Sequence, residues 1–276
     1  MPSRSKLPPH LFSAAGQAAL QRLRGGRPLL AFDFDGTLAP IAPRPEDVLL
    51  APAVAADLRR LALRAPVAVI SGRSVRDLRP RLGFEPQYLV GCHGADDGSE
   101  AVHAWARPLR EWCRGLAAGH AAELASAGIR VEDKGAAVAL HYRGTPEPAR
   151  ALRLLDALQA ALPPALKGYG GKQVLNIVAA DAPDKADALQ ALLQRSGCDR
   201  ALFAGDDVND EPVFQRAPPA WLTVRVGPAE GRTRARFSLR SPAEVAQLLA
   251  RLAGEGEDGS PGVVPADDPH PPPSPP

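Results

Sequence analysis

Cysteine is scarce in this chain. Cys92, Cys113 and Cys198 are odd in number, far apart and without a CxxC pair. That argues against a disulfide framework or a cysteine zinc site and fits a reducing, cytoplasmic setting. Long apolar runs are missing too. No stretch approaches the roughly 18 residues that would span a bilayer, and the opening residues MPSRSKLPPHLFSAAGQ hold no apolar core suited to a secretory signal. Neither charge sign dominates: the net charge is +2, so neither nucleic acid nor an anionic membrane is expected as the partner. Lysine is sparse as well. Only five of the 33 basic residues are lysine, at positions 6, 134, 167, 172 and 185.

What is present is the composition of a globular protein of 276 residues, 45% hydrophobic and 23% charged, long enough for one large domain or two modest ones. Residues 1–27 read as a leader with helical character near 14–23, and residues 254–276 as a disordered Pro-rich tail that lacks apolar content to offset ordering entropy. Between them, residues 28–32, 67–70, 88–90 and 201–204 are short apolar runs without polar alternation, as expected for strands buried on both faces of a parallel sheet. Helical patterns lie between them at 53–64, 75–82 and 184–195, with a further strand at 221–226 and a closing helix at 242–252. The middle third has a different order. A helix at 109–127, strands at 129–132 and 136–143, a helix at 148–162, and strands near 165–168 and 173–178 make an αββαββ unit. The expected architecture is α/β: a Rossmann-like parallel-sheet core of residues 28–107 and 181–253, with an inserted α+β cap of residues 108–180.

Every buried strand of the core runs into a polar cluster. These are Asp33-Phe34-Asp35-Gly36-Thr37, Ser71-Gly72-Arg73, Gly91-Cys92-His93-Gly94 and Gly205-Asp206-Asp207. Asp and Gly also follow strands simply as turn formers. All four strands ending this way instead points to one crevice beyond the carboxyl ends of the sheet, where open α/β sheets bind ligands. Three carboxylates meeting there, Asp33, Asp35 and Asp206, repel one another unless a cation sits among them, and an all-oxygen set suits Mg²⁺. Ser71, just before a helix, can bind a phosphate oxygen beside free N–H groups. Lys185 adds a compact positive charge.

In this order, Asp33–Thr37, Ser71, Lys185 and Gly205-Asp206-Asp207-Val208-Asn209-Asp210-Glu211 resemble the motifs of the haloacid dehalogenase superfamily. The resemblance implies an aspartyl-phosphate mechanism. Asp33 is the nucleophile; Asp35 protonates the leaving oxygen and then takes a proton from water. Ser71 and Lys185 hold the phosphoryl group, and Mg²⁺ is held by Asp33, Asp206 and the Asp35 backbone carbonyl. Asp207 and Asp210 would orient the loop or complete an outer shell.

The cap narrows the resemblance. Val131-Glu132-Asp133-Lys134-Gly135, His141-Tyr142-Arg143 and Gly171-Lys172-Gln173-Val174, with the core segments SGR and GCHG, are similar to trehalose-6-phosphate phosphatases. Substrate contacts are then expected from Asp33, Phe34, Asp35, Ser71, Gly72, Arg73, His93, Lys134, His141, Arg143, Lys172 and Asn176. Strand alternation puts His141 and Arg143 on one side and Val138, Leu140 and Tyr142 on the other. Three of the five lysines, 134, 172 and 185, fall at motif positions in a chain that otherwise prefers arginine. Asn176 departs from the resemblance, since a Glu is usual there. The expected reaction is hydrolysis of trehalose 6-phosphate, a small-molecule partner, with trehalose-6-phosphate synthase as the pathway neighbour. The alternatives are another glycosyl phosphate (glucosylglycerol phosphate or sucrose phosphate), or a phospho-accepting regulatory domain.

Overall fold

A computed structural model describes residues 8–99, 102–171, 173–228 and 233–254. Lys172 and the tail beyond Gly254 lie outside the described residues. In chain order the core opens with α1 (Ala14–Arg24), β1 (Pro28–Phe32), α2 (Pro52–Ala62), β2 (Val67–Ile70), α3 (Val75–Leu82) and β3 (Tyr88–Val90). The insert follows as α4 (Val102–Ser126), β4 (Arg130–Asp133), β5 (Val138–His141), α5 (Pro148–Ala160), β6 (Leu166–Gly171) and β7 (Val174–Ala179). The chain then returns to the core with α6 (Lys185–Ser196), β8 (Arg200–Gly205), α7 (Glu211–Arg216), β9 (Leu222–Val226), β10 (Phe237–Leu239) and α8 (Pro242–Gly254).

The core strands form one parallel sheet in the order β10-β9-β8-β1-β2-β3. Successive side chains of a strand face opposite ways, and both faces here are covered by helices. Leu30, Phe32, Val67 and Val69 pack into one apolar cluster, while Leu29, Ala31, Ala68 and Ile70 pack into another on the other face. Double-sided burial explains why these strands read as continuous apolar runs. Because β1 lies between β2 and β8, the chain reverses its order there, which opens the crevice at the carboxyl end of β1. The helix caps are readable in the sequence. Ser74 accepts from the Asp77 N–H at 3.2 Å to start α3, and Asp184 and Asp187 close a reciprocal capping box at α6.

The insert forms a four-stranded antiparallel sheet in the order β4-β5-β7-β6. One face packs on α4 and α5 through Leu109, Leu116, Val138, Leu140, Leu155, Leu175 and Ile177. The register aligns Glu132, Ala139, Asn176 and Tyr169 in one row, and Arg130, His141 and Val174 in the next. Directly opposed residues share a face, so these rows form the surface turned away from the helices.

Two expectations need correction. α4 starts at Val102 and not near residue 109, with Pro108 inside it. Ala106 and Leu109 are buried and Trp105 is partly buried, so packing on both sides of Pro108 outweighs the lost backbone bond. The segment before β1 is part of the core: Leu11, Leu20 and Leu23 are buried in it, and Leu11 N–H donates to the Ser238 carbonyl at 2.9 Å. Two short elements, α7 and β10, are six and three residues long, too short to show a period in the sequence. Among the described residues no helix is long and apolar enough to cross a membrane.

Candidate active site

The loop after β1 is closed by its own backbone: the Phe34 carbonyl accepts from the N–H groups of Thr37, Leu38 and Ala39 at 3.3, 3.0 and 3.0 Å. Alternation across this turn sends Asp33 and Asp35 into a cleft of about 910 Å³ and Phe34 into the core. Phe34, grouped with the substrate-contacting residues from the sequence, is fully buried and its ring faces the Arg73 guanidinium at 5.6 Å. Its side chain therefore does not line the cleft.

Asp33 is 5% exposed and lies 2.8 Å from the Lys185 ammonium, which also reaches Asp210 at 2.7 Å. Asp210, fully buried, takes the Asp207 N–H at 2.8 Å on its other oxygen. It thereby ties Lys185 to the loop that carries Asp206. Burial above all raises the Asp33 carboxyl well above its usual range; Asp210 and Asp206 push it further, and Lys185 works in the opposite direction. Ligand oxygens of Asp33, Asp206 and Asp210 lie within 4.8 Å of one another. These three carboxylates and one ammonium leave the cluster with more negative than positive charge, and its donors are all oxygen, so it fits a hard divalent cation. The sequence had grouped Asp33, Asp35 and Asp206. In the structure the Asp35 side chain points elsewhere, both its oxygens held by Arg73 at 2.7 and 2.8 Å. Only its backbone carbonyl is left for the metal role that the resemblance implies.

Gly36 makes the cluster possible. Its φ is +80°, and a Cβ there would stand 2.1 Å from an Asp206 carboxylate oxygen. Only a residue without a side chain meets both conditions.

Ser71 is 1% exposed and its hydroxyl accepts the Arg73 N–H at 3.2 Å. Arg73, expected to touch substrate, spends its guanidinium on Asp35, on Asp77 at 2.8 Å and on the Pro45 carbonyl at 2.8 Å. Gly72 lets the His93 ring come close, since a Cβ at Gly72 would meet that ring at 2.5 Å. His93 packs edge-on against Tyr169 of β6 at 5.5 Å, and its Nδ1 is buried without a hydrogen-bond partner. Burial first, then Lys185 and Lys134, hold its imidazole well below the ordinary range, so the ring is neutral.

The insert supplies the opposite wall. Lys134 Nζ donates to the Gly72 carbonyl at 2.9 Å, bridging the two units. His141, Arg143 and Asn176 line the same cleft, and Asn176 is 2% exposed. One residue escaped the sequence reading as part of this site, and another, Asp210, expected beside the loop, enters the carboxylate cluster itself. Glu132 faces the cleft and bonds His141 Nε2 at 2.7 Å, a contact that holds its carboxyl below the usual range. The row-by-row pairing of β4 with β5 is the signal that could have found it. Asp210, four residues after Asp206, enters the carboxylate cluster because the turn over Val208–Asp210 brings it back beneath that loop.

The family model for trehalose-phosphatase matches residues 31–241. A trehalose-phosphate phosphatase of Mycobacterium avium is 32% identical over 263 residues, covering 86% of this chain and 65% of that protein. An uncharacterised glycosyl hydrolase of Mycobacterium tuberculosis is 35% identical over 271 residues, 90% of this chain but 19% of its own length. The chain thus spans less than two thirds of either relative. Among solved structures, the C-terminal domain of Candida albicans trehalose-6-phosphate phosphatase superposes with a TM-score of 0.76 at 23% identity, covering 90% of this chain and 99% of that one. Aspergillus fumigatus trehalose-6-phosphate phosphatase gives 0.62 at 25% identity, with 91% and 100% covered. The motifs at the strand ends, the inserted sheet and the match over residues 31–241 agree, and this chain belongs to the trehalose-phosphatase family.

Proposed function

We propose that the protein hydrolyses trehalose 6-phosphate to trehalose and inorganic phosphate through an aspartyl phosphate on Asp33, acting in the cytoplasm. One observation carries the reading. A single cleft has Asp33, Lys185 and Asp206 on one wall, with Asp210 buried behind them, and the polar face of the inserted sheet on the other. The first wall suits a phosphoryl group and the second a molecule rich in hydroxyls.

In the first half-reaction an Asp33 carboxylate oxygen bonds to phosphorus, the bond from phosphorus to the sugar oxygen breaks, and the Asp35 carboxyl proton goes to that oxygen. In the second, water adds to phosphorus and gives a proton to Asp35, and the Asp33–phosphorus bond breaks, restoring both residues. Lys185 offsets charge on the nucleophile and Ser71 orients a phosphoryl oxygen. Mg²⁺ held by Asp33, Asp206 and the Asp35 carbonyl, with Asp210 beneath, would neutralise phosphate charge. A phospho-accepting switch needs neither a proton donor beside its nucleophile nor a sugar-sized wall.

Asn176 supports a second reading, hydrolysis of another glycosyl phosphate. It presents one acceptor oxygen, where a carboxylate would offer two. A phosphate-release panel of trehalose 6-phosphate, sucrose 6-phosphate and glucosylglycerol phosphate with Mg²⁺ separates the two readings. The first expects the highest kcat/KM on trehalose 6-phosphate, and a further gain there for Asn176→Glu. Better turnover of another sugar, with no gain for the variant, favours the second. No release from any of them sinks both.

A further inference from the structure

Arg73 is more than a lining residue of the cleft. It is 9% exposed, and all three of its guanidinium nitrogens are engaged. Nε and Nη2 take the two Asp35 oxygens at 2.7 and 2.8 Å. Nη2 also donates to the Pro45 carbonyl at 2.8 Å, and Nη1 donates to Asp77 at 2.8 Å. Asp77 is braced in turn by Arg81 at 2.6 Å, and Arg81 holds the Glu46 and Val48 carbonyls at 2.6 and 3.2 Å. Arg73 therefore joins three things: the Asp35 carboxylate, the segment at 45–48 that walls the cleft, and α3. The Phe34 ring beneath the guanidinium limits tilting of its plane.

A bidentate fork fixes the plane of a carboxylate as well as its position, which a single ammonium does not. Proton transfer needs the donor oxygen within hydrogen-bond reach of the leaving oxygen, so a carboxylate free to rotate loses much of its effect. Donation leaves Asp35 as a carboxylate, the form that matches the fork.

We propose that Arg73 is a positioning residue for proton transfer by Asp35, acting through the two-point fork and not by contact with the phosphoryl group. The inference rests on the reading of Asp35 as the proton donor, and its test keeps the two apart. A series of aryl phosphates of graded leaving-group ability makes no sugar contacts. For this series kcat/KM reports binding and the transfer of the phosphoryl group to Asp33, free of the later hydrolysis of the intermediate. Where a positioned acid assists, rates on poor leaving groups are supported and the dependence on leaving group is shallow.

Arg73→Met and Arg73→Lys, with folding checked by thermal melting, are expected to steepen that dependence. Poor leaving groups and trehalose 6-phosphate should lose about 10²-fold, the low end of general-acid effects, and p-nitrophenyl phosphate less than about threefold. Asp35→Asn should steepen it at least as much. If Asp35→Asn steepens the dependence while both Arg73 variants keep the wild-type slope, the positioning role is overturned and the reading of Asp35 survives. A wild-type slope in Arg73→Lys alone shows that charge suffices and the fork does not matter, which also overturns the proposal. If Asp35→Asn itself keeps the wild-type slope, the reading of Asp35 fails, and the inference with it. A uniform loss across the series in the Arg73 variants marks a merely structural role and counts against the proposal.

Discussion

Replacing Lys185 by Met tests the electrostatics of the site without touching Asp33. The ammonium is 2% exposed and lies 2.8 and 2.7 Å from carboxylate oxygens of Asp33 and Asp210, which are 5% and 0% exposed. Removing one partner of a buried pair costs about 3–5 kcal/mol, because the remaining charge is stranded away from water. Here two carboxylates lose the same cation, which places the loss near the top of that range, about 5 kcal/mol and comparable to the whole stability of many domains. Met fills a similar volume and favours helix, so backbone effects at the start of α6 are small.

The loss also depends on pH. Burial, with Asp210 and Asp206, already raises the Asp33 carboxyl, and without Lys185 it rises further. The folded variant then keeps protons that the unfolded chain gives up above about pH 4. Stability falls with pH wherever the folded state binds more protons, so the deficit widens from acid towards neutral pH. Urea unfolding of wild type and variant at several pH values, with and without Mg²⁺, measures this. Mg²⁺ should recover more stability in the variant than in wild type, since a bound cation replaces the missing charge. A deficit below about 1 kcal/mol at neutral pH, against the expected value of about 5, would refute the reasoning.

Other outcomes are expected from the same geometry. Gly36→Ala forces a Cβ to within 2.1 Å of an Asp206 oxygen at a φ of +80°, so kcat/KM should fall by more than about 10² while circular dichroism shows the fold retained; near-normal activity would show that Asp206 can shift freely. Burial alone would raise the Asp77 carboxyl, but N–H donors from Arg81 and Arg73 outweigh it and the group ends below its usual range. Its stabilising contribution is therefore present above the unfolded value of about 3.9 and lost as pH falls through the lower folded value. Asp77→Asn should show a flatter decline of stability below roughly pH 4 than wild type, and an identical acid profile would contradict the pairing.

The parts of this structure legible in the sequence are those set by local rules. β1, β2 and β3 sit at residues 28–32, 67–70 and 88–90, as expected from their apolar runs, since burial on both faces leaves no polar alternation to confuse them. The polar residues after those strands converge because a parallel sheet aligns its carboxyl ends. Pairing between distant side chains was not legible. Nothing local to Arg73 says that its fork closes on Asp35, 38 residues earlier, in preference to a phosphate. The Glu132–His141 contact depends on the β4–β5 register, which the turn at 134–137 sets and composition does not reveal. The early start of α4 was not legible either: Pro108 locally disfavours helix, and the burial of Ala106 and Leu109 on either side of it keeps the helix going.

The central claim is that Asp33 takes the phosphoryl group. Its most direct measurement is phosphate release from trehalose 6-phosphate by Asp33→Asn, with folding verified by thermal melting. The account predicts a loss of more than about 10⁴-fold in kcat, as expected when a nucleophile is removed, in a protein that still folds. Release within about tenfold of wild type would lie far outside that loss and would contradict a covalent intermediate on Asp33.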